Sequence, residues 1–188
     1  MDWNKAGVPH KGWSCVGVED IADSSCDGED IEYERCEMCG QEKIRFVHIM
    51  RHPEYPYELR VGCICAEKMS DDYVNPRRAE DSLRNRALRR KNFDKTTWNY
   101  NPRKNTYSKK YKGEYITIMQ SRYGNWGIFF AENRIWDYNG RKIRSMEDAN
   151  RVAFEIFEQY HTTQEERDRR FWREQAERVR DLWPDQDE

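Results

Sequence analysis

Residues 36–69, CEMCGQEKIRFVHIMRHPEYPYELRVGCICAEKM, carry four cysteines in two close pairs on either side of a hairpin-like stretch, and their reading decides the fold of the first half of the chain. In Cys36-Glu-Met-Cys39-Gly40, two residues between the thiols let both sulfurs face one point, and Gly40 lets the chain turn away with backbone N–H groups near them. Cys63-Ile-Cys65 supplies the second pair. Between them, KIRFVHIM and YELRVGCIC are rich in β-branched and aromatic residues, and HPEYPY at the reversal holds two prolines. The pattern predicts two antiparallel strands, and AEKMSDDY after Cys65 predicts a short helix.

Knuckle, hairpin and helix in that order predict a treble-clef-like module in residues 36–75, held by zinc through Cys36, Cys39, Cys63 and Cys65. The ion takes the place of the core that so short a segment lacks. Free buried thiols or a disulfide are the other uses of such cysteines, and His48, His52 and Cys26 are reserve ligands. His48 and His52 stand four residues apart, but in a strand running into a turn, so a helical zinc-protease pair is not expected.

Across 188 residues the hydrophobic content is 37% with seven Trp and eleven Tyr, which argues for aromatic-rich cores rather than disorder. The formal net charge is only −2, so partners must be inferred from where charges sit and not from their sum. No apolar run approaches the length needed to cross a bilayer, and the expectation is a cytoplasmic protein without a membrane partner. Four cysteines committed to a metal fit a reducing compartment, and Cys15 with Cys26 would form a disulfide only outside one.

Residues 1–35 read as an acidic arm with Glu19, Asp20, Asp23, Asp27, Glu29, Asp30, Glu32 and Glu34, anchored by Trp3 and Trp13, in which SCVGVEDI adds one short strand or turn. The sign then reverses: residues 77–112 hold thirteen Lys or Arg against Glu80, Asp81 and Asp94. Asn75-Pro76 predicts a helix start, Ala79, Leu83, Ala87 and Leu88 form a narrow apolar stripe, and the helix ends near Thr96-Thr97. A one-signed, Arg-rich helix followed by aromatics predicts nucleic-acid binding, in competition with a merely solvated face. Arg84, Arg86, Arg89, Arg90, Lys91 and Lys95 would meet phosphates, and Trp98, Tyr100 and Tyr107 would stack on bases.

From about Asn105 the period becomes two, with candidate strands TYSKK, EYITIMQ, NWGIFFA and RIWDY between turn signals, which predicts an antiparallel meander. Ser145-Met-Glu-Asp148 has the form of a capping box, and Ala149, Val152, Ala153, Ile156, Phe157 and Tyr160 predict a helix on one face of that sheet. Ile116, Ile118, Trp126 and Phe130 are expected in its core. His161-Thr-Thr163 reads as a break before a last helix over residues 164–183, whose Phe171, Trp172, Ala176, Val179, Leu182 and Trp183 either dock on the body or bind a partner.

The cysteine stretch is similar to the zinc-bearing HNH endonucleases, whose motif runs Cys-x-x-Cys, a strand ending in Val-His-His-Ile, an Asn on the second strand, and a second cysteine pair followed by His. Phe46-Val47-His48-Ile49 matches that strand with one of its two histidines, while Glu58 stands at the place of the Asn and Ala66 or Glu67 at that of the last His. The resemblance implies a shared scaffold without the hydrolytic chemistry. Residues 76–160 resemble the double-stranded RNA-binding fold in order, helix, three strands, helix. That family opens its second helix with lysines; here Ser145, Met146, Glu147 and Asp148 stand there, which moves any nucleic-acid contact to the Arg-rich helix and first strands. The whole pattern of CEMCG, VHIMRHPEYP, VGCICAEKM and a basic helix resembles small zinc-binding proteins of bacteria and phages, which implies a prokaryotic or viral setting and no particular activity.

Together these readings predict an α+β protein: an acidic arm (1–35), a treble-clef-like zinc module (36–75), an Arg-rich helix with a β-meander and covering helix (76–160), and an amphipathic terminal helix (161–188). The expected function is non-enzymatic nucleic-acid binding. The alternatives are a protein-interaction module that docks through residues 171–183 or the acidic arm, and an HNH-type metal-dependent nuclease using His48.

Overall fold

The computed structural model describes residues 7–24 and 32–182, with side chains to Gln175 except those of Asp23 and Ser24. In chain order its elements are β1 (Ser14–Asp20), α1 (Ile21–Ser24), β2 (Phe46–His52), β3 (Tyr55–Val61), α2 (Cys63–Ser70), α3 (Asn75–Lys95), β4 (Asn99–Asn101), β5 (Thr106–Tyr111), β6 (Glu114–Gln120), β7 (Trp126–Phe130), β8 (Asn133–Ile135), β9 (Asp137–Tyr138), β10 (Arg141–Lys142) and α4 (Met146–Leu182). The fold is mixed α+β with three antiparallel sheets. Two compact units, Met1–Arg89 and Arg90–Glu188, divide within α3.

In the first unit the β2–β3 hairpin forms as expected, and SCVGVED adds β1 on the other side of β2. His48, in the middle of β2, stands opposite Val18 on β1 and Val61 on β3. Several acidic residues of residues 1–35 are used internally. Asp20 takes both Nε and Nη2 of Arg45, at 2.8 and 2.9 Å, and Glu19 and Glu34 share the Arg60 guanidinium. The apolar core is small: Val8, Trp13, Met38, Met50, Leu59, Val61, Ala66 and Met69, completed by Cys36 and Cys65 themselves. Trp13, 3% exposed, donates its indole N–H to Pro9 O at 2.7 Å and packs against His52 and Tyr55. Trp3 and Cys26 lie outside the described residues, and the five described cysteines are all free of disulfides.

Gly62 caps α2 with extended backbone and accepts the N–H groups of Cys65 and Ala66. The helix therefore starts at Cys63, ahead of the AEKMSDDY segment. On a strand, residues two apart share a face; on a helix they are about 200° apart. Cys63 and Cys65 are thereby turned away from each other.

The second unit is built on a five-stranded sheet, β4 to β8, in chain order. Alternation sends Tyr111, Ile116, Ile118, Ile128 and Phe130 to one side, where α4 meets them with Ala149, Val152, Ala153, Phe154 and Phe157. Ser145 Oγ accepts the Asp148 N–H at 2.9 Å, as the capping box requires. The expected break at His161-Thr-Thr163 does not occur, and α4 runs unbroken to Leu182. None of those residues is Gly or Pro, so the cost is only weak propensity. His161 repays it by stacking on Phe157, with ring centroids 4.3 Å apart, and by pairing with Glu114 at 3.0 Å. Among the described residues, no helix is long and apolar enough to cross a membrane.

Gly127 on β7 lies directly under the Trp136 indole: a Cβ there would sit 2.6 Å from Cε3. Gly127→Ala is expected to lift Trp136 and cost about 1–3 kcal/mol, read as a lower denaturant midpoint with a changed tryptophan emission. An unchanged midpoint would contradict this packing.

Candidate functional site

The knuckle and the first turn of α2 bring Cys36, Cys39 and Cys65 together, with sulfurs within 4.8 Å of one another. Cys36 and Cys65 are 1% and 5% exposed. A tetrahedral ion with metal–sulfur bonds of about 2.3 Å holds its sulfurs about 3.8 Å apart, so this cluster can hold a metal ion with little adjustment. The knuckle is tied by Gly40 N to Cys36 O and Cys36 N to Gln41 O, both 2.8 Å. Gly40 takes a φ of +73°, which a side chain would strain.

One sulfur of the cluster, that of Cys36, is prepared for negative charge. The Cys36 thiol is drawn well below its ordinary value, chiefly by the hydrogen bond from Cys65 and then, against burial, by the backbone N–H groups of Cys39, Gly62 and Met38. Cys65, as donor in that pair, is pushed up by the same bond and by burial. A Cys36 thiolate sheltered by backbone donors beside the Cys65 thiol is a state from which a cation can displace the Cys65 proton.

Cys63, the fourth cysteine of the expected set, is not in this cluster. Its sulfur groups instead with His48 and Glu80, whose ligand atoms also lie within 4.8 Å of one another. His48 is fully buried, with Nε2 3.4 Å from Glu80 Oε2 and Nδ1 3.9 Å from Cys15 Sγ. Burial holds its pKa below the ordinary value against the pull of Glu80. The Cys63 thiol is pushed up to about 12 by burial and then by the carboxylates of Glu80 and Glu67. It is therefore not an activated nucleophile in the metal-free protein. Of the reserve ligands, His52 accepts the Glu54 N–H through Nδ1 at 3.0 Å and stacks on Trp13.

Comparison with protein-family models, with curated proteins and with solved structures gives no match.

Much of the expected phosphate-binding set is engaged within the protein. Arg84 pairs with Glu80 and lies over the Phe46 ring at 5.3 Å. Arg90 reaches Glu155 at 3.3 Å and lies over Phe154. Arg86 and Arg89 are half-buried, whereas Lys91 and Lys95 are exposed. Trp98 is a core-packing residue, its indole N–H held by Asn150 Oδ1 at 3.0 Å. Tyr107 packs on the same core between Tyr100 and Trp126, and Tyr100 is the exposed member of that row. Ile116, Ile118 and Phe130 are buried and Trp126 packs against them, as expected.

The sheet face opposite α4 carries a set that the charge count passed over. Tyr115 on β6 is 67% exposed and Phe129 on β7 is 38% exposed. Lys110 is the cross-strand partner of Tyr115, with Nζ 5.5 Å from the ring centroid, and Arg134 partners Phe129 with Cζ at 6.0 Å. Ser108 and Thr117 pair in the row that Phe129 and Arg134 complete, and Trp136 lies over Gly127 beside them. Strand alternation was the available signal: with Ile116 and Ile118 inward, Tyr115 and Thr117 must face outward.

Proposed function

We propose that this protein is a zinc-containing, non-enzymatic binder of single-stranded nucleic acid. The observation that carries the reading is the open face of the five-stranded sheet, where exposed Tyr115 and Phe129 each sit beside a cation, Lys110 and Arg134, with hydroxyls of Ser108 and Thr117 between. Flat aromatic surfaces among positive charges suit bases that can be unstacked onto them, with phosphates tracking the cations. Lys91, Lys95 and Tyr100 extend the exposed basic and aromatic surface of this unit.

In the first unit, the knuckle, hairpin and helix order supports a treble-clef-like module whose ion is zinc on Cys36, Cys39 and Cys65, since a cluster of thiolates selects soft or borderline ions. Zinc there supplies cohesion to a core of few residues. Complete burial of His48 against Glu80 and Cys15 supports the non-enzymatic reading, since no water can be activated at an imidazole with both ring nitrogens occupied.

A second reading has its own observation. Phe171 and Trp172 stand 52% and 68% exposed on α4 in mutual contact, which suits a protein partner. Fluorescence anisotropy with labelled single strands separates the two. Tyr115→Ala and Phe129→Ala are each expected to cost about 1–3 kcal/mol of affinity, and Lys110→Glu with Arg134→Glu to flatten the salt dependence. Binding untouched by all four changes would reject the sheet face.

A further inference from the structure

We propose that His48, Cys63 and Glu80 form a second metal site, separate from the Cys36–Cys39–Cys65 cluster, that takes a borderline divalent ion such as zinc. The three side chains come from β2, the start of α2 and α3, so the site exists only in the folded first unit. Their spacing suits an ion better than a hydrogen-bond network. His48 Nε2 and Glu80 Oε2 are 3.4 Å apart, long for a hydrogen bond, and Cys63 Sγ lies 4.0 Å from Glu67 Oε1, at the outer limit for a sulfur donor. Ligands around a tetrahedral ion with bonds of about 2.0–2.3 Å stand roughly 3.3–3.8 Å apart.

The surrounding groups hold each ligand in place. Arg84 binds Glu80 Oε1 and leaves Oε2 for the site. Arg77 clamps the neighbouring Glu67 through both oxygens, at 2.9 and 3.2 Å. The second nitrogen of His48 faces Cys15 Sγ, which fixes the ring as an outer partner does in metal sites. Thiolate and carboxylate together balance a dication, and a mixed sulfur, nitrogen and oxygen set selects zinc-like ions over magnesium.

The test is metal content of the full-length chain, stripped, reloaded with zinc and desalted, with cobalt(II) absorption as the second readout. Two ions per chain are expected, falling to one in His48→Gln, Cys63→Ser and Glu80→Gln, and the cobalt band lost in these variants should be that of a single-thiolate site. Far-UV circular dichroism checks folding, and Glu80→Gln, nearly isosteric at a side chain 15% exposed, keeps the test open if Cys63→Ser fails to fold. One ion per chain in the wild type overturns the proposal, above all if Cys63→Ser removes a thiolate from that ion. So do two ions retained in His48→Gln and Glu80→Gln.

Discussion

On the proposed zinc reading, stripping the ion from Cys36, Cys39 and Cys65 is expected to unfold β1, β2, β3 and α2 and leave the five-stranded sheet and α4 folded. Among the described residues, the core cluster around the knuckle is ten side chains, and two of them, Cys36 and Cys65, belong to the sulfur cluster. Without a cation the cluster becomes partly charged sulfurs buried among apolar groups, which is costly in itself. With zinc, apparent binding free energies of about 10–16 kcal/mol become folding free energy, more than the whole stability of most domains of this size. Cys36→Ser should act like a strong chelator, because it removes the sulfur that three backbone N–H groups address. Hydrogen exchange followed by mass spectrometry reads both units at once. Loss of protection confined to β1, β2, β3 and α2 is the expected result; unchanged protection after complete stripping would mean that the cysteines act only as core.

The second large effect belongs to Lys109, 1% exposed in the core of the second unit. Its Nζ donates to Phe93 O at 2.9 Å and Asn150 Oδ1 at 3.2 Å, and lies 3.9 Å from the Phe93 ring centroid and 4.5 Å from that of Trp98. Burial lowers its pKa to about 8, with Asp94 pulling weakly the other way. An unfolded lysine titrates near 10.4, so between about pH 8 and pH 10.4 the unfolded chain carries a proton that the folded one has lost. Stability of this unit therefore rises with pH across that window, by about 3 kcal/mol at its upper end, and the penalty is present in full below pH 8. Urea unfolding of wild type and Lys109→Met at pH 7.5, 9 and 10.5 isolates the contribution, since tyrosine titrations cancel in the difference. A difference between the two proteins that does not change with pH would show that Lys109 keeps its proton throughout.

Sequence periodicity made the hairpin, the meander, the Ser145 cap and the bounds of α3 legible, because each rests on contacts between near neighbours in the chain. The knuckle was legible for the same reason. The division of Cys63 from Cys65 was not: it depends on whether Gly62 ends a strand or caps a helix, and a helix start three residues earlier sends one sulfur to Cys36 and the other to His48. Glu80 was obscured by the basic helix around it, where it reads as one acid among many cations. Lys109 carried a visible signal, since in TYSKKY the period of two that points Tyr107 and Tyr111 inward also points Lys109 inward. Its partners Phe93 and Asn150 are sixteen or more residues distant, beyond any local pattern.

Charge counting does not show which cations are already paired within the protein. The Arg-rich helix is the steepest basic run in the sequence, yet Arg84 and Arg90 are committed to Glu80 and Glu155. Exposed cations in the second unit include Lys91, Lys95, Lys110 and Arg134, of which Lys110 and Arg134 lie beside the exposed rings of Tyr115 and Phe129.

The most direct test of that surface is binding of the zinc-loaded protein to single- and double-stranded DNA and RNA across a salt series. The account predicts preference for single strands, with affinity falling linearly in log salt at a slope of about −0.7 per phosphate neutralised, hence roughly −2 to −3 for three or four cations. No binding to any of the four at low salt, or equal binding to duplexes with a slope untouched by Lys110→Glu and Arg134→Glu, would contradict it.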